Sequence, residues 1–376
     1  MKILHIISSG GMYGAEAVIL NLSRALHERE HLCVLGVFLN SSNPNLQLHE
    51  TAVREGVESH LIPCNGQFDR SAIASIRELA SKTGADIVHA HGYKADIFVY
   101  LALHKSGIPT VSTCHNWIDS DWKVKLYGVV DRLILRYYIR IIAVSEEVRK
   151  RLLNAGVMTA KISMIRNGVD LTAFDNTTGS LKAELGWNEL LLVGFVGRLS
   201  MEKGADIFLH MIARVFEKLP NVRFVLAGDG PDRAHLEALI DSLGIRRSVR
   251  VLGRREDIPN VLASLDVLVS SSRQEGLPIS ILEGMASRLA IIATAVGEVP
   301  ILIQNERTGL LVPSADANLL AEAIIELSQN PAKRRELGLA ARQLVEEEYS
   351  ATRMANDYLR IYEEAVAVST RGRANE

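Results

Sequence analysis

The sequence predicts an α/β protein made of two doubly wound parallel-sheet domains with a cleft between them. Three observations carry this. The chain has 376 residues, and at about 150 residues per domain that length fits two domains. Short apolar runs rich in Val, Ile and Leu alternate with helix-length segments, and the runs lack the in–out alternation of a half-exposed strand. The opening arrangement, a strand, a glycine-bounded loop and a helix, also recurs from about residue 190.

In the first half, Lys2–Ser8 reads as a buried strand and Gly10–Gly14 as a glycine-rich turn. Ala15–Glu28 reads as a helix with Ala17, Leu20 and Ala25 on its inner face. Strands follow at Leu32–Leu39 and Glu58–Pro63, then a helix at Arg70–Thr83 and a strand at Ile87–Ala90. A helix at Asp96–Lys105 and a strand at Thr110–Thr113 continue the series. Such alternation implies a doubly wound sheet covered on both faces.

The series restarts after Asn167-Gly168-Val169-Asp170, which sets the first domain at 1–168 and the second at 169–350. Residues 174–186 are polar and turn-rich, as expected of an interdomain linker. Leu190–Val196 is then a strand, Gly197–Gly204 a loop and Ala205–Lys218 a helix. Val222–Leu226, Val249–Leu252, Val267–Ser270, Ala290–Ala293 and Gly309–Val312 extend the parallel series. Helical segments, Leu319–Tyr349 and Ala351–Ala367, close the chain.

Composition excludes several classes. With 42 Lys and Arg against 44 Asp and Glu the net charge is −2, so neither a globally basic nucleic-acid binder nor an acidic tail protein is expected. At 48% hydrophobic and 23% charged residues the chain is not disordered. Cys33, Cys64 and Cys114 are an odd number without Cys-x-x-Cys spacing, which argues against a disulfide framework and for a reducing compartment. The apolar start is too short for a signal-peptide core, and no uncharged run approaches the ~18 residues of a spanning helix. A cytoplasmic protein is expected, with a membrane serving only as a surface. The small net charge hides an asymmetry: residues 1–122 carry −3, residues 123–166 carry +7, and the remainder −6.

Gly10-Gly11-Met12-Tyr13-Gly14 lies between a strand end and a helix start, where backbone N–H groups and the helix dipole favour an anion; a tight turn without ligand is the alternative. It is not the dinucleotide fingerprint, because no acid follows the second strand, only Asn40-Ser41-Ser42-Asn43. His27-Glu28-Arg29-Glu30-His31 has the zinc-protease spacing, but the helix must stop there for the next strand to begin, so it reads as coincidence. Asp119-Ser120-Asp121 has a metal-holding spacing and reads better as a capping turn. His115 directly follows a strand, and strand C-terminal ends face the ligand crevice in such sheets; a packed structural histidine is the alternative.

In the second domain, Arg198 and Lys203 stand beside glycines at a helix start, a pairing suited to a diphosphate through a forked guanidinium and a point charge. No nucleoside-triphosphate P-loop motif is present. The sharpest signal is Glu275-Gly276-Leu277-Pro278 followed by Glu283. Pro278 can open a helix, leaving one carboxylate in the loop and the other on the helix. Carboxylates accept hydrogen bonds from sugar hydroxyls, and free N–H groups at the helix start can hold phosphate. Two solvated acids, or a glycosidase acid pair, are the alternatives; neither accounts for the cationic loop and the glycine turn as well.

Taken in order, Gly10-Gly11, Asn167-Gly168-Val169-Asp170, Gly197-Arg198 with Lys203-Gly204, Ala227-Gly228-Asp229-Gly230-Pro231 and the Glu-x7-Glu of Glu275 and Glu283 make the chain resemble the retaining glycosyltransferases of family 4 (glycosyl transferases group 1) over nearly its whole length. The resemblance implies the GT-B fold, two facing Rossmann-like domains, the second binding a nucleotide-sugar and the first the acceptor. It implies also that the C-terminal helix, about 351–367, packs back on the first domain. Arg198 and Lys203 would neutralise the leaving diphosphate. Glu275 would hold hydroxyls of the donor sugar and Glu283 the ribose, with backbone N–H groups of Gly276, Leu277 and Gly11 around sugar and phosphate. His115 would face the sugar, and Arg254 and Ile258 lie where the family holds the base. The activity implied is retaining, metal-independent transfer from a nucleoside-diphosphate sugar, uridine diphosphate by the resemblance, to an acceptor hydroxyl in cell-envelope glycolipid or polysaccharide synthesis. No cofactor is implied.

The basic island falls on the presumed acceptor domain. Lys125, Arg132, Arg136 and Arg140 share one face if 123–140 is helical, with Leu126, Tyr127, Val129, Leu133, Tyr137 and Tyr138 between them. Such a helix can rest on anionic lipid at the inner face of the membrane; a solvated face packed on its own domain satisfies the same pattern. Two rival functions share the architecture: a nucleotide-sugar epimerase, which needs no acceptor, and a non-catalytic nucleotide-sugar-binding subunit.

Overall fold

Strand-forming runs in this chain are apolar on both faces, so each must be covered twice, and helices on either side of parallel sheets result. A computed structural model describes residues 1–12, 14–42, 44–66, 69–115 and 133–374. The chain divides into two compact units, Met1–Gly168 with Ala351–Glu376, and Val169–Ser350.

The first unit holds a parallel sheet of β1 (Lys2–Ile7), β2 (Leu32–Leu39), β3 (Glu58–Pro63), β4 (Ile87–His91), β5 (Thr110–Cys114), β6 (Arg140–Ala143) and β7 (Ile162–Met164). Its order is β3-β2-β1-β4-β5-β6-β7, so the winding reverses between β1 and β4. There Ile3 pairs with Ile87 and His5 with His89. Alternate residues serve opposite faces: Leu4 and Ile6 join one core with Val88 and Phe98, while Ile7 joins Leu35, Val37 and Ile19 in the other. Helix ends are specified locally. Asp69 accepts from the Ser71 N–H at the start of Arg70–Thr83, and left-handed Gly84 ends that helix.

The second unit repeats the plan with β8 (Leu191–Val196), β9 (Val222–Ala227), β10 (Val249–Gly253), β11 (Val267–Ser270), β12 (Ala290–Thr294) and β13 (Leu310–Val312), in the order β10-β9-β8-β11-β12-β13. Val193, Phe195, Phe224 and Val269 pack on one face; Leu192, Val225, Leu268 and Ile291 pack on the other. The winding reverses between β8 and β11, and the loops leaving these two strands carry the acids and bases described below.

The last helix, Ala351–Ala374, belongs to the first unit, where it packs on the helix Gly14–His27. Tyr358 and Tyr362 drive it inward. Both rings are fully buried, and their hydroxyls reach Thr113 Oγ1 at 3.0 Å and His89 Nδ1 at 2.7 Å. Buried hydroxyls must find partners, so this polar seam sets the helix's register on the sheet.

The structure corrects the sequence reading in three places. Arg140 cannot share a helical face with Arg136. It opens β6, opposite Val111 of β5, because Ile141 and Ile142 form a β-branched run that the sheet takes up. The run 319–349 is two helices, Ala317–Gln329 and Pro331–Glu348, since Pro331 cannot continue the first and Asn330 caps the second. The sequence reading also had no strands at β6 and β7, of four and three residues, the first lying at the end of the basic segment read as a helix. Asp119-Ser120-Asp121, Lys125, Leu126, Tyr127, Val129 and Arg132 lie outside the described residues. Among the described residues of the basic island, Leu133 and Tyr137 are 54% and 66% exposed, while Tyr138 is buried and donates its hydroxyl to the Asp96 carbonyl.

Candidate active site

In an open parallel sheet the loops on either side of the winding reversal splay apart at the strand C-termini and leave room for a ligand. In the second unit those loops follow β8 and β11, and they bring Lys203 to Glu275. Lys203 Nζ lies 2.6 and 2.8 Å from the two Glu275 oxygens. The Glu275 side chain is only 6% exposed, and its Oε1 also accepts from the Ser272 hydroxyl at 2.7 Å.

Two glycines allow the approach. Gly204 ends the β8 loop at φ +65°, and a Cβ there would stand 2.1 Å from the Ser271 carbonyl oxygen. Gly297, at φ +55°, passes so close to Glu275 that a Cβ would lie 1.8 Å from its carbonyl oxygen. Around them the loops are cross-tied. Arg273 and Gln274 donate backbone N–H groups to the Glu202 carbonyl, and Arg273 grips Asp206 with two bonds of 2.7 and 2.6 Å. That guanidinium holds the Asp206 carboxyl below its usual pKa despite burial.

Arg198 is exposed on the same loop. Burial opposes ionisation of Glu202, but the Ser200 hydroxyl at 2.6 Å and the charges of Arg198 and Lys203 outweigh it and hold the acid below its usual pKa. Two cations and a buried carboxylate thus lie on the loops at the winding reversal. Such a set can neutralise a diphosphate and accept hydrogen bonds from hydroxyls.

Gly276 and the buried Leu277 directly follow Glu275, and the helix Ile279–Ala286 begins after Pro278. Glu283 sits half-buried on that helix, and no described residue donates to its carboxyl. Loss of water raises its pKa from 4.5 to about 7. Arg254, exposed, and Ile258, at the start of the helix Ile258–Ala263, come from the loop after edge strand β10. They stand two strands from β8.

In the first unit His115 follows β5 and is half-buried. Its Nε2 lies 3.1 Å from Nδ1 of buried His91, and burial lowers its pKa to about 4. Gly11 lies after β1, at the other side of that unit's winding reversal. The structure gives its N–H to Ser9 Oγ at 3.2 Å, and the same hydroxyl also lies 3.0 Å from buried Glu16 in the first helical turn. A carboxylate already occupies the positive end of this helix, so the turn is a weaker anion site than its glycines suggest. The zinc-protease spacing is broken: the helix ends at His27, and His31 lies beyond a turn in which Glu30 is left-handed.

Residues 191–330 match the family described as glycosyl transferases group 1, and residues 12–173 match glycosyltransferase family 4. The α-maltose-1-phosphate synthase of Mycolicibacterium smegmatis is 30% identical over 324 residues, covering 78% of this chain and 83% of the relative. This chain belongs to glycosyltransferase family 4. It is therefore a glycosyltransferase acting on nucleotide sugars. Another family member, the UDP-Gal:α-D-GlcNAc-diphosphoundecaprenol α-1,3-galactosyltransferase of Escherichia coli, is 30% identical over 70% of this chain and 71% of its own. Anabaena HepE, solved in complex with UDP-glucose, superposes with a TM-score of 0.82 at 21% identity, over 97% of this chain and all of that one. This likeness shows the GT-B fold, which the two Rossmann-like units here share.

Sequence reasoning passed over Ser272, Glu202, Gly297 and the Arg273–Asp206 pair, all of which pack around Lys203 and Glu275. It also passed over His5, His89 and His91. A signal for the last two was present: His-x-His at the end of an apolar strand puts two imidazoles on one sheet face.

Proposed function

We propose that the enzyme transfers a sugar from a UDP-sugar to an acceptor hydroxyl with retention of anomeric configuration and without a metal ion, in the synthesis of a cell-envelope glycolipid or polysaccharide. The observation that carries this reading is the Lys203–Glu275 pair at the winding reversal, with Arg198 on the same loop. Lys203 and Glu275 satisfy one another in the structure. On binding, the diphosphate takes up Lys203 and Arg198, and Glu275 turns its oxygens to the hydroxyls of the sugar. Ribose hydroxyls donate to Glu283, Gly276 and Leu277 offer backbone N–H groups, and Arg254 and Ile258 flank the base. His115 of the first unit serves the sugar, with Gly11 permitting close approach.

In the transfer, the bond from the anomeric carbon to the diphosphate oxygen breaks while the acceptor oxygen bonds to that carbon on the same face. The acceptor proton passes to the departing phosphate oxygen, so no protein base is needed. Charge accumulates on the diphosphate as the bond breaks, and cations aimed at it lower the barrier. The E. coli relative, whose name specifies a UDP donor and a diphosphoundecaprenol-linked acceptor, supports the choice of donor and acceptor class. The acceptor falls to the first unit.

Incubation of purified enzyme with UDP-sugars, with and without lipid-linked or oligosaccharide acceptors, tests this reading, the product anomer being read by proton NMR. An α-linked product from an α-linked donor, in chelator, is expected. An inverted product, a strict metal requirement, or an isomerised donor formed without acceptor would overturn it, the last in favour of the epimerase. Arg198→Ala and Lys203→Ala should each cut kcat by about 100-fold while changing donor affinity far less.

A further inference from the structure

Four histidines gather at the strand ends of the first unit. His5 of β1 and His89 of β4 are fully buried, His91 nearly so, and His115 after β5 reaches the surface. Burial lowers the pKa of each ring, that of His5 to about 3, so all four are neutral near pH 7. His5 Nδ1 lies 3.0 Å from His91 Nε2, and His91 Nδ1 lies 3.1 Å from His115 Nε2. The three rings therefore form a hydrogen-bonded chain running from the core to the surface.

A neutral imidazole has one N–H and one bare nitrogen. The two contacts are thus coupled, and the chain has only two consistent states. In one, His5 donates from Nδ1, His91 donates from Nδ1, and His115 carries its proton on Nδ1. In the other every proton is on Nε2, so that of His5 sits on a buried nitrogen with no hydrogen-bond partner among the described residues. A buried N–H without an acceptor is the rarer and costlier defect, and a bare buried nitrogen is tolerated better. The first state is favoured.

His89 stands outside the chain. Its two nitrogens are taken by Tyr362 and by Thr113, each at 2.7 Å, while its ring lies over His91 with centroids 4.0 Å apart. His5, His89 and His91 have nitrogens close enough together for a metal ion. An ion would have to displace these hydrogen bonds, and the rings are better explained by the bonds they make.

We propose that His5 and His91 are positioning residues that fix the proton of His115 on Nδ1, so that His115 offers the bound sugar an N–H donor and not a bare nitrogen. Among the described residues nothing bonds that Nδ1, which leaves it for substrate. The proposal rests on the reading that His115 serves the sugar, and it gives that residue a specific part: it donates a hydrogen bond and does not take the acceptor proton.

The test is a long-range proton–nitrogen correlation spectrum of the full chain labelled with 15N-histidine, with His115 assigned by loss of its signals in His115→Gln. The expected result is an Nδ1–H tautomer for His115 in the wild-type protein. His91→Asn, whose amide N–H stands near the lost Nδ1–H, should keep that tautomer. His91→Leu should convert His115 largely to Nε2–H and lower kcat for a UDP-sugar by about tenfold with little change in KM. An Nε2–H tautomer in the wild-type protein overturns the proposal without need of any variant. So does an unchanged His115 tautomer in folded His91→Leu. If the wild-type and variant tautomers are as expected but His115→Ala leaves turnover intact, the relay stands and the assignment of His115 to the sugar fails.

Discussion

Replacing Glu283 by glutamine removes a half-buried carboxyl that no described residue supplies with a hydrogen-bond donor. We predict that the exchange makes the apoenzyme more stable at neutral pH and a poorer binder of its donor. In the folded protein the Glu283 pKa rises from 4.5 to about 7. A raised acid pKa means that the folded state holds the proton more tightly than the unfolded one, so stability is full below about 4.5 and declines as pH rises toward 7. Above pH 7 the loss levels off. The gap corresponds to roughly 3 kcal/mol at 1.36 kcal/mol per pKa unit, and partial exposure brings it to about 2 kcal/mol. For a unit of this size, Glu283→Gln should then raise the Tm by about 4–8 °C at pH 8 and by almost nothing at pH 4. Differential scanning fluorimetry across pH, without ligand, reads both. A UDP-sugar should raise the Tm of the wild type more than that of the variant, because ribose hydroxyls supply the donors only a carboxylate needs. An equal gain at both pH values, or a loss at pH 8, would overturn this prediction.

The same carboxyl makes donor binding depend on pH. Hydroxyl donors favour the ionised acid, so affinity for UDP-sugar should rise about tenfold from pH 6 to pH 8 in calorimetry, and Glu283→Gln should flatten the profile. Gly297→Ala would push a Cβ to within 1.8 Å of the Glu275 carbonyl at a left-handed position, and a loss of about 2 kcal/mol or more in denaturant unfolding is expected. Gly276→Ala meets nothing within 4 Å, so its stability should stay within about 0.5 kcal/mol of wild type. Exposed Leu133 and Tyr137 in a segment of net charge +7 should make the protein float with anionic liposomes at low salt and not with neutral ones. Lack of flotation with anionic lipid would remove the membrane from the reading. No helix among the described residues is long and apolar enough to cross one.

Local sequence determined the elements and the chemistry on offer. Apolar runs without alternation specify strands covered on both faces, and glycines after β1 and β8 mark loops that must turn sharply. Arg198, Lys203, Glu275 and Glu283 stand out in the sequence because charged residues beside glycines at strand and helix ends have few structural uses. Tertiary structure decided which of them meet. Lys203 and Glu275 are 72 residues apart and join only because the sheet places β8 beside β11. Neither the ion pair nor the half-burial of Glu283 has a local signature, since burial and pairing are sums over distant neighbours. Arg140 shows the converse: its spacing from Arg136 fits a helix, yet pairing with β5 claims it for the sheet. The histidine chain is the plainest case. Its three rings come from β1, β4 and the loop after β5, and the proton that His115 carries is set by a partnerless nitrogen on His5, 110 residues earlier.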